Sequence, residues 1–239
     1  MKPLNKYIKE KLIINKDYHE AKIAVKSFDE LRNIIEDRYY KLGPGTEQDP
    51  IDFNDIDVSN IDSFCNEYNT GLFKGTNFKY IDISDWDVSK VTDMFSIFAG
   101  CEKLESVGDI SNWDVSKVTN MAYMFEDCEK FNQDISDWDV LNVTNMNRMF
   151  CRCKYFNKDI SGWDVKKVIN MGYMFDGCEN FNQDISGWDV ARVTDMECMF
   201  DGCKSFNQDL SKWNVSKVRY YSYMFDGCPI KEEYKPKFK

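Results

Sequence analysis

The sequence predicts an α/β repeat solenoid in which each rung of about 25 residues has one short parallel strand and one short helix. Six tryptophans mark the repeat, and their positions in the chain differ by 27, 25, 25, 25 and 25: Trp86, Trp113, Trp138, Trp163, Trp188 and Trp213. The residues around each tryptophan recur as well, over about two thirds of the chain. Self-similarity at a fixed period of this length is typical of proteins that stack one supersecondary unit on the next.

The composition argues against two classes of protein. The chain has 239 residues and a net charge of −10, whereas a phosphate-binding surface requires a basic stripe, so we expect no nucleic-acid partner. The longest apolar runs are a few residues, which is too short for a membrane span. Residues 1–11 lack the apolar region of a signal peptide. We therefore expect a cytoplasmic or virion-associated protein, with surface exposure by another export route as the alternative.

Nine cysteines raise the question of disulfides or a zinc site. The count is odd, no CxxC motif is present, and the one histidine, His19, lies far away in sequence. These features favour reduced thiols in a reducing compartment. Disulfides between rungs, and a metal site at Cys151 and Cys153, are the alternatives. Six cysteines share one repeat position, where we expect a buried column: Cys101, Cys128, Cys153, Cys178, Cys203 and Cys228.

Residues 1–50 do not repeat, and we expect them to form a helical cap and a linker. Apolar residues at helical spacing predict a short amphipathic helix near residues 3–14. Residues 15–26 are ambiguous, and the alternating part at 21–25 is compatible with a strand. A solenoid needs a polar-backed cap over its first rung, and this segment is the candidate.

A second helix is predicted more clearly. Ser27 and Glu30 form a capping box, in which both side chains accept free backbone N–H groups. Glycine and proline at residues 43–45 end the helix, and a linker follows to Pro50. The apolar face of this helix consists of Leu31, Ile34 and Ile35.

We assign residues 51–230 to the solenoid, with one degenerate and six regular repeats, and residues 231–239 to a charged tail. Ile56 takes the tryptophan position in the degenerate repeat, and the 30 residues from there to Trp86 exceed the period by five. We place the extra residues in a loop around residues 67–76. A two-residue lengthening within the stretch 104–108 belongs in a turn.

Within one repeat, apolar residues at i, i+3, i+4 and i+7 predict a helix of about two turns with one apolar face. In the repeat of Trp138 these residues are Met146, Met149, Phe150 and Cys153. A short strand predicted around the Asp-Ile-Ser step would stack into a parallel ladder at about 4.8 Å per rung. Residues of preferred N-cap type precede the helix: Asp93, Asn120, Asn145, Asn170 and Asp195.

Other recurrent residues have a structural and a functional interpretation. Aspartates recur at two positions, as at Asp134 and Asp139, and we favour Asx turns over a calcium ladder because the glycine-rich calcium signature is missing. The tryptophans are expected to pack at the core edge, with a sugar-stacking strip as the alternative. An internal hydrogen-bond ladder is predicted for Asn132, Asn157, Asn182 and Asn207.

The positions that change from copy to copy are the candidates for recognition. The recurrent residues are committed to core, caps and turns, whereas the variable ones lie on the backs of the predicted helices and near the following turn. The candidate partner-binding surface consists of Tyr123, Arg148, Arg152, Tyr155, Tyr173, Glu197 and Tyr223.

The repeat unit Trp-Asp-Val-Ser-Lys-Val-Thr-Asn-Met-x-x-Met-Phe-x-x-Cys-x-x-Phe-Asn-Gln-Asp-Ile-Ser resembles that of the BspA-type leucine-rich-repeat family. This type of repeat is common in bacterial surface proteins and Mycoplasma lipoproteins. The resemblance covers about residues 51–230 and implies a right-handed, leucine-rich-repeat-like solenoid with a binding role, often adhesion. Residues 7–16 and 228–238 also resemble versions carried by gut bacteria and their tailed phages. The chain departs from the surface-protein pattern in its missing signal peptide, lipobox and wall anchor.

The sequence favours a repeat scaffold that binds another protein and that is encoded by a phage or another mobile element. We expect no enzymatic activity and no cofactor or metal, because no Ser/His/Asp set and no phosphate loop is present. One alternative is a virion or assembly component with a structural role. The other is an exported adhesin or glycan-binding surface protein.

Overall fold

A computed structural model describes residues 22–238. Strand β1 pairs in parallel with β3, and β2 pairs in parallel with β4. The helix predicted near residues 3–14, and His19, lie outside the described residues. The regular elements are β1 (Ile23–Ala24), helix α1 (Phe28–Leu42), β2 (Ile51–Asp52), β3 (Ile56–Asp57), β4 (Ile81–Asp82) and a 3-10 helix (Glu232–Tyr234).

Helix α1 begins at the residues that predict it. Ser27 Oγ accepts the N–H of Glu30 at 3.2 Å, and the Glu30 carboxylate accepts a preceding backbone N–H at 2.8 Å. Leu31 and Ile35 are fully buried, and Gly43 ends the helix at φ 79°. The helix is 15 residues long, and no helix in the described part of the chain is both long and apolar enough to cross a bilayer.

The segment around α1 covers the N-terminal side of the first repeat. β1 places Ile23 opposite Ile56, the residue in the tryptophan position. Arg32 Nη1 donates to the backbone oxygens of Gly71 and Leu72 at 2.7 and 2.8 Å. Two backbone carbonyls of the first repeat are thus satisfied by an arginine from the helix.

Consecutive repeats lie side by side in parallel register, joined by bridges such as those from Asn120 to Asn145 and from Asn145 to Asn170. Four alternate N–H groups of each regular repeat except the last also donate to carbonyls of the next repeat at 2.6–3.0 Å. We call each series of these bonds through successive repeats a peptide column. In the repeat of Trp138 the donors are Met146, Arg148, Phe150 and Arg152, and the acceptors are Asn170, Gly172, Met174 and Asp176.

The two-turn helix predicted in each repeat is wrong. Residues 146–153 form consecutive turns, in which every second N–H donates to the carbonyl three residues earlier at 2.9–3.2 Å. The intervening N–H groups point to the next repeat, whereas a helix would bond all of them within the segment. Arg148 and Arg152 consequently adopt left-handed φ angles of 57° and 59°. The apolar residues at helical spacing are nevertheless buried, because these turns also direct them to the core.

The asparagines and aspartates predicted as N-caps accept backbone N–H groups in these turns, as they would at the start of a helix. Asn145 Oδ1 accepts the N–H of Asn147 at 3.1 Å, which closes an Asx turn. Equivalent bonds of 2.9–3.1 Å are made by Asp93, Asn120, Asn170 and Asp195.

The strand predicted around the Asp-Ile-Ser step is present at β4 and is wrong for the later repeats. Within residues 22–238, no repeat after β4 has a strand at this step. Asp134 Oδ1 accepts the N–H of Ser136 at 3.0 Å, but the same Asx turn is present at Asp82 in β4, so the turn does not prevent a strand. The carbonyl of Ile135 accepts Trp163 Nε1 of the next repeat at 3.1 Å in place of a backbone N–H of that repeat. The parallel bridges between repeats lie instead at the Asn145 position.

Aromatic side chains form continuous columns in the core. Phe125, Phe150 and Phe175 stack with their ring centroids 5.7 and 5.8 Å apart. The predicted packing of the tryptophans is confirmed, since all six are at most 5% exposed. Trp138 Nε1 donates to Ile110 O at 2.9 Å. The tryptophan rings are therefore unavailable as a sugar-stacking strip.

The cysteines are free thiols, and the predicted column is buried except at Cys228, which is partly buried. Each thiol of the column donates to a phenylalanine carbonyl of an earlier repeat, as from Cys153 Sγ to Phe125 O at 3.0 Å. Within residues 22–238 the cysteines of this column therefore form hydrogen bonds to backbone carbonyls, and the alternative of disulfides between rungs is not seen.

The Asx turns and the asparagine ladder predicted from the sequence are both confirmed. Asp139 Oδ1 accepts the N–H of Leu141 at 3.1 Å, and the same bond recurs at Asp114, Asp164, Asp189 and Asn214. In the ladder, the N–H groups of Asn157, Asn182 and Asn207 donate to the side-chain oxygens of Asn132, Asn157 and Asn182, at 2.9–3.0 Å.

Candidate interaction surface

Four of the seven candidate residues lie in one column. Tyr123, Arg148, Tyr173 and Tyr223 occupy equivalent positions of their repeats, one or two repeats apart. Together with Ser96 and Cys198 they form what we call the variable column. All six have left-handed φ angles between 51° and 61°. This conformation costs a residue with a β-carbon about 1–2 kcal/mol, and in every member except Tyr223 it directs the N–H to a carbonyl of the next repeat.

The centre of the variable column is a cation–π stack. The guanidinium carbon of Arg148 lies 4.2 Å from the Tyr173 ring centroid and 5.8 Å from that of Tyr123. The ring of Phe95 extends the stack, with its centroid 5.1 Å from that of Tyr123. The Arg148 side chain is only 27% exposed. A partly desolvated guanidinium between two aromatic faces is held more firmly than one in open solvent.

Carboxylates of the preceding repeat hold both arginines. Arg148 Nη1 lies 3.4 Å from Glu126 Oε1, and Arg152 Nη1 lies 2.9 Å from Asp127 Oδ1. Burial raises the pKa of Glu126, and the charge of Asp127 raises it further. Arg148 is therefore fixed within the surface, whereas the Arg152 side chain, which is 61% exposed, remains accessible to a partner.

Tyr173 and Cys198 continue the column without carrying charge at neutral pH. Burial, followed by the contact with the Cys198 thiol, raises the pKa of Tyr173 to about 12. Burial also raises the pKa of Cys198, which is 7% exposed. Both groups keep their protons at neutral pH, so they contribute shape and hydrogen bonding to this surface.

The remaining candidates lie outside the variable column. Glu197 precedes Cys198 in the chain, and its N–H donates to Asp195 Oδ1 at 3.0 Å. Arg152 belongs to a neighbouring column of left-handed residues. Tyr155 is 44% exposed and follows the buried Cys153 in the chain, in a column of its own.

Exposure along the variable column is greatest at its last member, Tyr223, whereas Ser96 and Cys198 are buried. Ser96 is buried beneath the loop at Gly71, where an added β-carbon would lie only 1.8 Å from Ser96 O. Tyr123 and Tyr173 are partly exposed. Tyr223 is 68% exposed. The accessible part of the column therefore begins at Tyr123.

An acidic series runs beside the variable column through Glu126, Asp176, Asp201 and Asp226. Burial raises the pKa of Asp201, and the charges of Asp176 and Asp226 raise it further. Within residues 22–238, no group of three or more histidine, cysteine, aspartate or glutamate side chains is arranged to hold a metal ion. The series contributes negative charge to the surface.

Two members of the variable column were missed by the sequence reasoning, Ser96 and Cys198. Cys198 lies one repeat length after Tyr173, so the repeat period alone places it in the same column. The left-handed backbone was not visible in the sequence, because tyrosine, arginine and cysteine carry no preference for it.

Comparison with known protein families gives one match. A family model described as "Mycoplasma protein of unknown function, DUF285" matches residues 69–175 and again residues 134–235. The two ranges overlap and together cover more than half of the chain. No curated protein and no solved structure matches the chain.

Proposed function

The chain belongs to the DUF285 family of Mycoplasma-type repeat proteins, and we propose that it is a non-enzymatic repeat scaffold that binds another protein. The proposal covers the architecture too: a right-handed solenoid of BspA type, with turns where a helix was expected. The similarity of residues 228–238 to phage-carried versions supports a phage or mobile-element origin.

One observation carries the proposal. A uniform framework holds the variable column, whose side chains differ from copy to copy, and four of its six members are aromatic or charged and at least partly exposed. In this column Tyr123, Arg148 and Tyr173 are preorganised by contacts to one another and to Glu126. Tyrosine and arginine are the residues enriched where binding energy concentrates in protein interfaces.

A capture experiment tests the proposal. The wild-type chain and a Tyr123→Ala, Arg148→Ala, Tyr173→Ala variant are immobilised, exposed to extracts of the native host, and the bound proteins are identified by mass spectrometry. The matched control replaces three exposed residues outside the variable column, Lys117, Asp137 and Lys212, by alanine.

The expected result is a protein that the wild type and the control retain and that the column variant loses. Equal retention by all three proteins would refute the assignment of the surface. Cofractionation of the native protein with virions, without any captured partner, would favour the structural role. Surface labelling of intact cells would favour an adhesin.

A further inference from the structure

The C-terminal end of the stack carries backbone donors without acceptors. Every regular repeat before the last donates four alternate N–H groups to the next repeat. Within residues 22–238 no further repeat follows the one that contains Trp213, and the N–H groups of Tyr221, Tyr223, Phe225 and Gly227 donate to no acceptor there. We call these four N–H groups the open end. Aligned backbone donors of this kind form a site for a ligand that supplies acceptors.

The C-terminal tail packs against one side of the last repeat and continues past the open end. Tyr234 O accepts the N–H of Leu210 at 2.8 Å, on the side of the repeat that carries the asparagine ladder. Beside the open end the tail contributes two side chains: the Phe238 ring stacks on Tyr221 with the centroids 4.2 Å apart, and Lys235 Nζ lies 5.8 Å from the Phe225 ring centroid, away from Tyr223. A cleft of about 400 Å³ separates the tail from the open end.

The opposite end of the stack is closed to a second copy. The four peptide columns run in one direction, so the N-terminal end presents carbonyls where the C-terminal end presents N–H groups. Arg32 already donates to Gly71 O and Leu72 O at that end. Head-to-tail growth of identical chains would have to displace this arginine, which favours a different polypeptide as the occupant of the open end.

An ordinary β-strand does not match the open end. A strand presents both N–H and C=O groups along one edge. Some N–H groups of the strand would therefore lie opposite the N–H groups of the open end, with no acceptor between them. A fitting segment presents its carbonyls on alternate residues to one side. Residues 145–152 adopt this arrangement where they dock on the preceding repeat.

That interior contact also indicates which side chain fits. Tyr223 and Asp226 stand in the positions that Tyr123 and Glu126 occupy four repeats earlier. There the docked segment places the guanidinium carbon of Arg148 5.8 Å from the Tyr123 ring centroid and Nη1 3.4 Å from Glu126 Oε1. At the open end, the ring and the carboxylate are exposed, and no arginine occupies the equivalent place within the described residues.

The charge around the open end favours the same ligand. Asp226 follows Asp201 in the acidic series, and their mutual repulsion contributes to the raised pKa of Asp201. The chain as a whole carries a net charge of −10. A cationic side chain beside Asp226 relieves the local repulsion, and the overall field assists the approach of a basic segment.

We propose that the open end binds a segment of a partner polypeptide that carries an arginine and presents alternate backbone carbonyls to one side. The carbonyls accept the N–H groups of Tyr221, Tyr223, Phe225 and Gly227. The arginine lies against the Tyr223 ring and pairs with the Asp226 carboxylate. This inference rests on the proposed function, because it specifies the chemistry of one partner segment and the end of the scaffold that receives it.

The test uses a labelled synthetic peptide with the sequence of residues 142–155, in which both cysteines are replaced by serine. Its binding to the full chain is measured by fluorescence anisotropy. A second peptide carries glutamate in place of Arg148. The protein variants are Tyr223→Ala and Asp226→Lys, and the matched control is Glu233→Lys, an exposed tail residue with the same change in charge. Thermal melting verifies that each variant is folded.

Saturable binding is expected for the wild type and Glu233→Lys, with a dissociation constant raised about tenfold or more by Asp226→Lys, by Tyr223→Ala and by the glutamate peptide. Equal affinity of Asp226→Lys and Glu233→Lys, or no saturable binding by the wild type, overturns the inference. Concentration-dependent dimers that Asp226→Lys dissociates would overturn it in favour of a second copy. A host protein captured through Tyr123, Arg148 and Tyr173 alone would leave the proposed function standing while the inference fails.

Discussion

Arg148 and Tyr173 are linked across two neighbouring repeats by a cation–π contact, with 4.2 Å between the guanidinium carbon and the ring centroid. We expect a double-mutant cycle of Arg148→Gln and Tyr173→Leu, measured by urea unfolding, to give a coupling free energy of about 0.5–1 kcal/mol. Arg148→Lys should recover only part of it, because the ammonium cannot stack on the ring as the planar guanidinium does.

The control for this coupling is a cycle of Arg152→Gln with Tyr173→Leu. Arg152 is paired with Asp127 and makes no cation–π contact with Tyr173 in the described residues. The changes in unfolding free energy of Arg152→Gln and Tyr173→Leu should therefore be additive in the double variant. Coupling of the same size in both cycles would show that the stacked geometry contributes nothing specific.

The left-handed backbone at Arg152 predicts that a glycine variant is more stable than an alanine variant, which is the reverse of the usual order. Its φ is 59°, and glycine occupies the equivalent position at Gly177 and Gly202. Arg152→Gly and Arg152→Ala both lose the ion pair with Asp127, so their difference isolates the backbone. We expect the glycine variant to be more stable by about 1 kcal/mol in chemical unfolding.

The neighbouring Lys154 supplies the reference for this comparison, because its φ is not left-handed. There Lys154→Gly should be less stable than Lys154→Ala by about 0.5–1 kcal/mol. The same sign at both positions would contradict the backbone assignment at Arg152.

The repeat, its buried residues and its turn chemistry were predictable from the sequence, and the path of the backbone between them was not. Met146, Phe150 and Cys153 are buried as predicted. Their spacing fits a helix, but it also fits turns that alternate between internal bonds and bonds to the next repeat. The choice depends on where the N–H of Arg148 finds an acceptor, and that acceptor, Gly172 O, belongs to another repeat. A local pattern does not contain this information.

The interaction surface shows the same division. The variability of Tyr123, Arg148 and Tyr173 between copies was visible in the sequence, and it identified residues that the fold brings together. The ion pair between Arg148 and Glu126, and the open end at Tyr223, depend on how successive repeats stack. These two features follow from the register in which successive repeats align, and the sequence of a single repeat does not specify that register.

The tryptophan column provides a matched pair for measuring one hydrogen bond. Trp138 Nε1 donates to Ile110 O at 2.9 Å, whereas Trp113 Nε1 is buried without a partner among the described residues. Both rings are at most 5% exposed, so a change to phenylalanine removes similar apolar surface. We expect Trp138→Phe to lose about 1 kcal/mol more stability than Trp113→Phe in equilibrium unfolding. Equal losses would show that the indole hydrogen bond makes no net contribution.

The loop over the start of the variable column depends on the absence of a side chain at Gly71. A β-carbon there would lie 1.8 Å from Ser96 O and 2.2 Å from Ser96 C, both backbone atoms. Gly71→Ala must therefore shift the loop or the repeat, at a cost of about 1–3 kcal/mol. Gly162 has no atom within 4 Å of an added β-carbon and no left-handed φ, so Gly162→Ala should gain about 0.4–1 kcal/mol. Thermal unfolding of both variants tests the contrast, and a harmless Gly71→Ala would refute the contact.

Asp201 and Asp184 predict pH effects of opposite sign. Burial and the charges of Asp176 and Asp226 raise the pKa of Asp201, so its ionised form is disfavoured in the folded state. The ionised Asp201 carboxylate therefore destabilises the fold at pH values above the raised pKa. This destabilisation disappears as the pH falls below the pKa of the unfolded state, where the carboxyl is protonated in both states. Asp201→Asn should stabilise the protein at neutral pH by about 0.5 kcal/mol, after allowance for solvent screening, and have little effect in acid.

Asp184 behaves in the reverse way. Hydrogen bonds from Ser186 lower its pKa, so it contributes stability above the pKa of the unfolded state, and that stability is lost as the pH falls through the lowered pKa. Asp184→Asn should therefore give no gain at neutral pH and should flatten the loss of stability in acid. Urea unfolding of the wild type and both variants from neutral to acid pH measures the two slopes. A gain from Asp184→Asn equal to that from Asp201→Asn at neutral pH would mean that the gain reflects the reduced net charge of the chain, because that reduction is the one change the variants share.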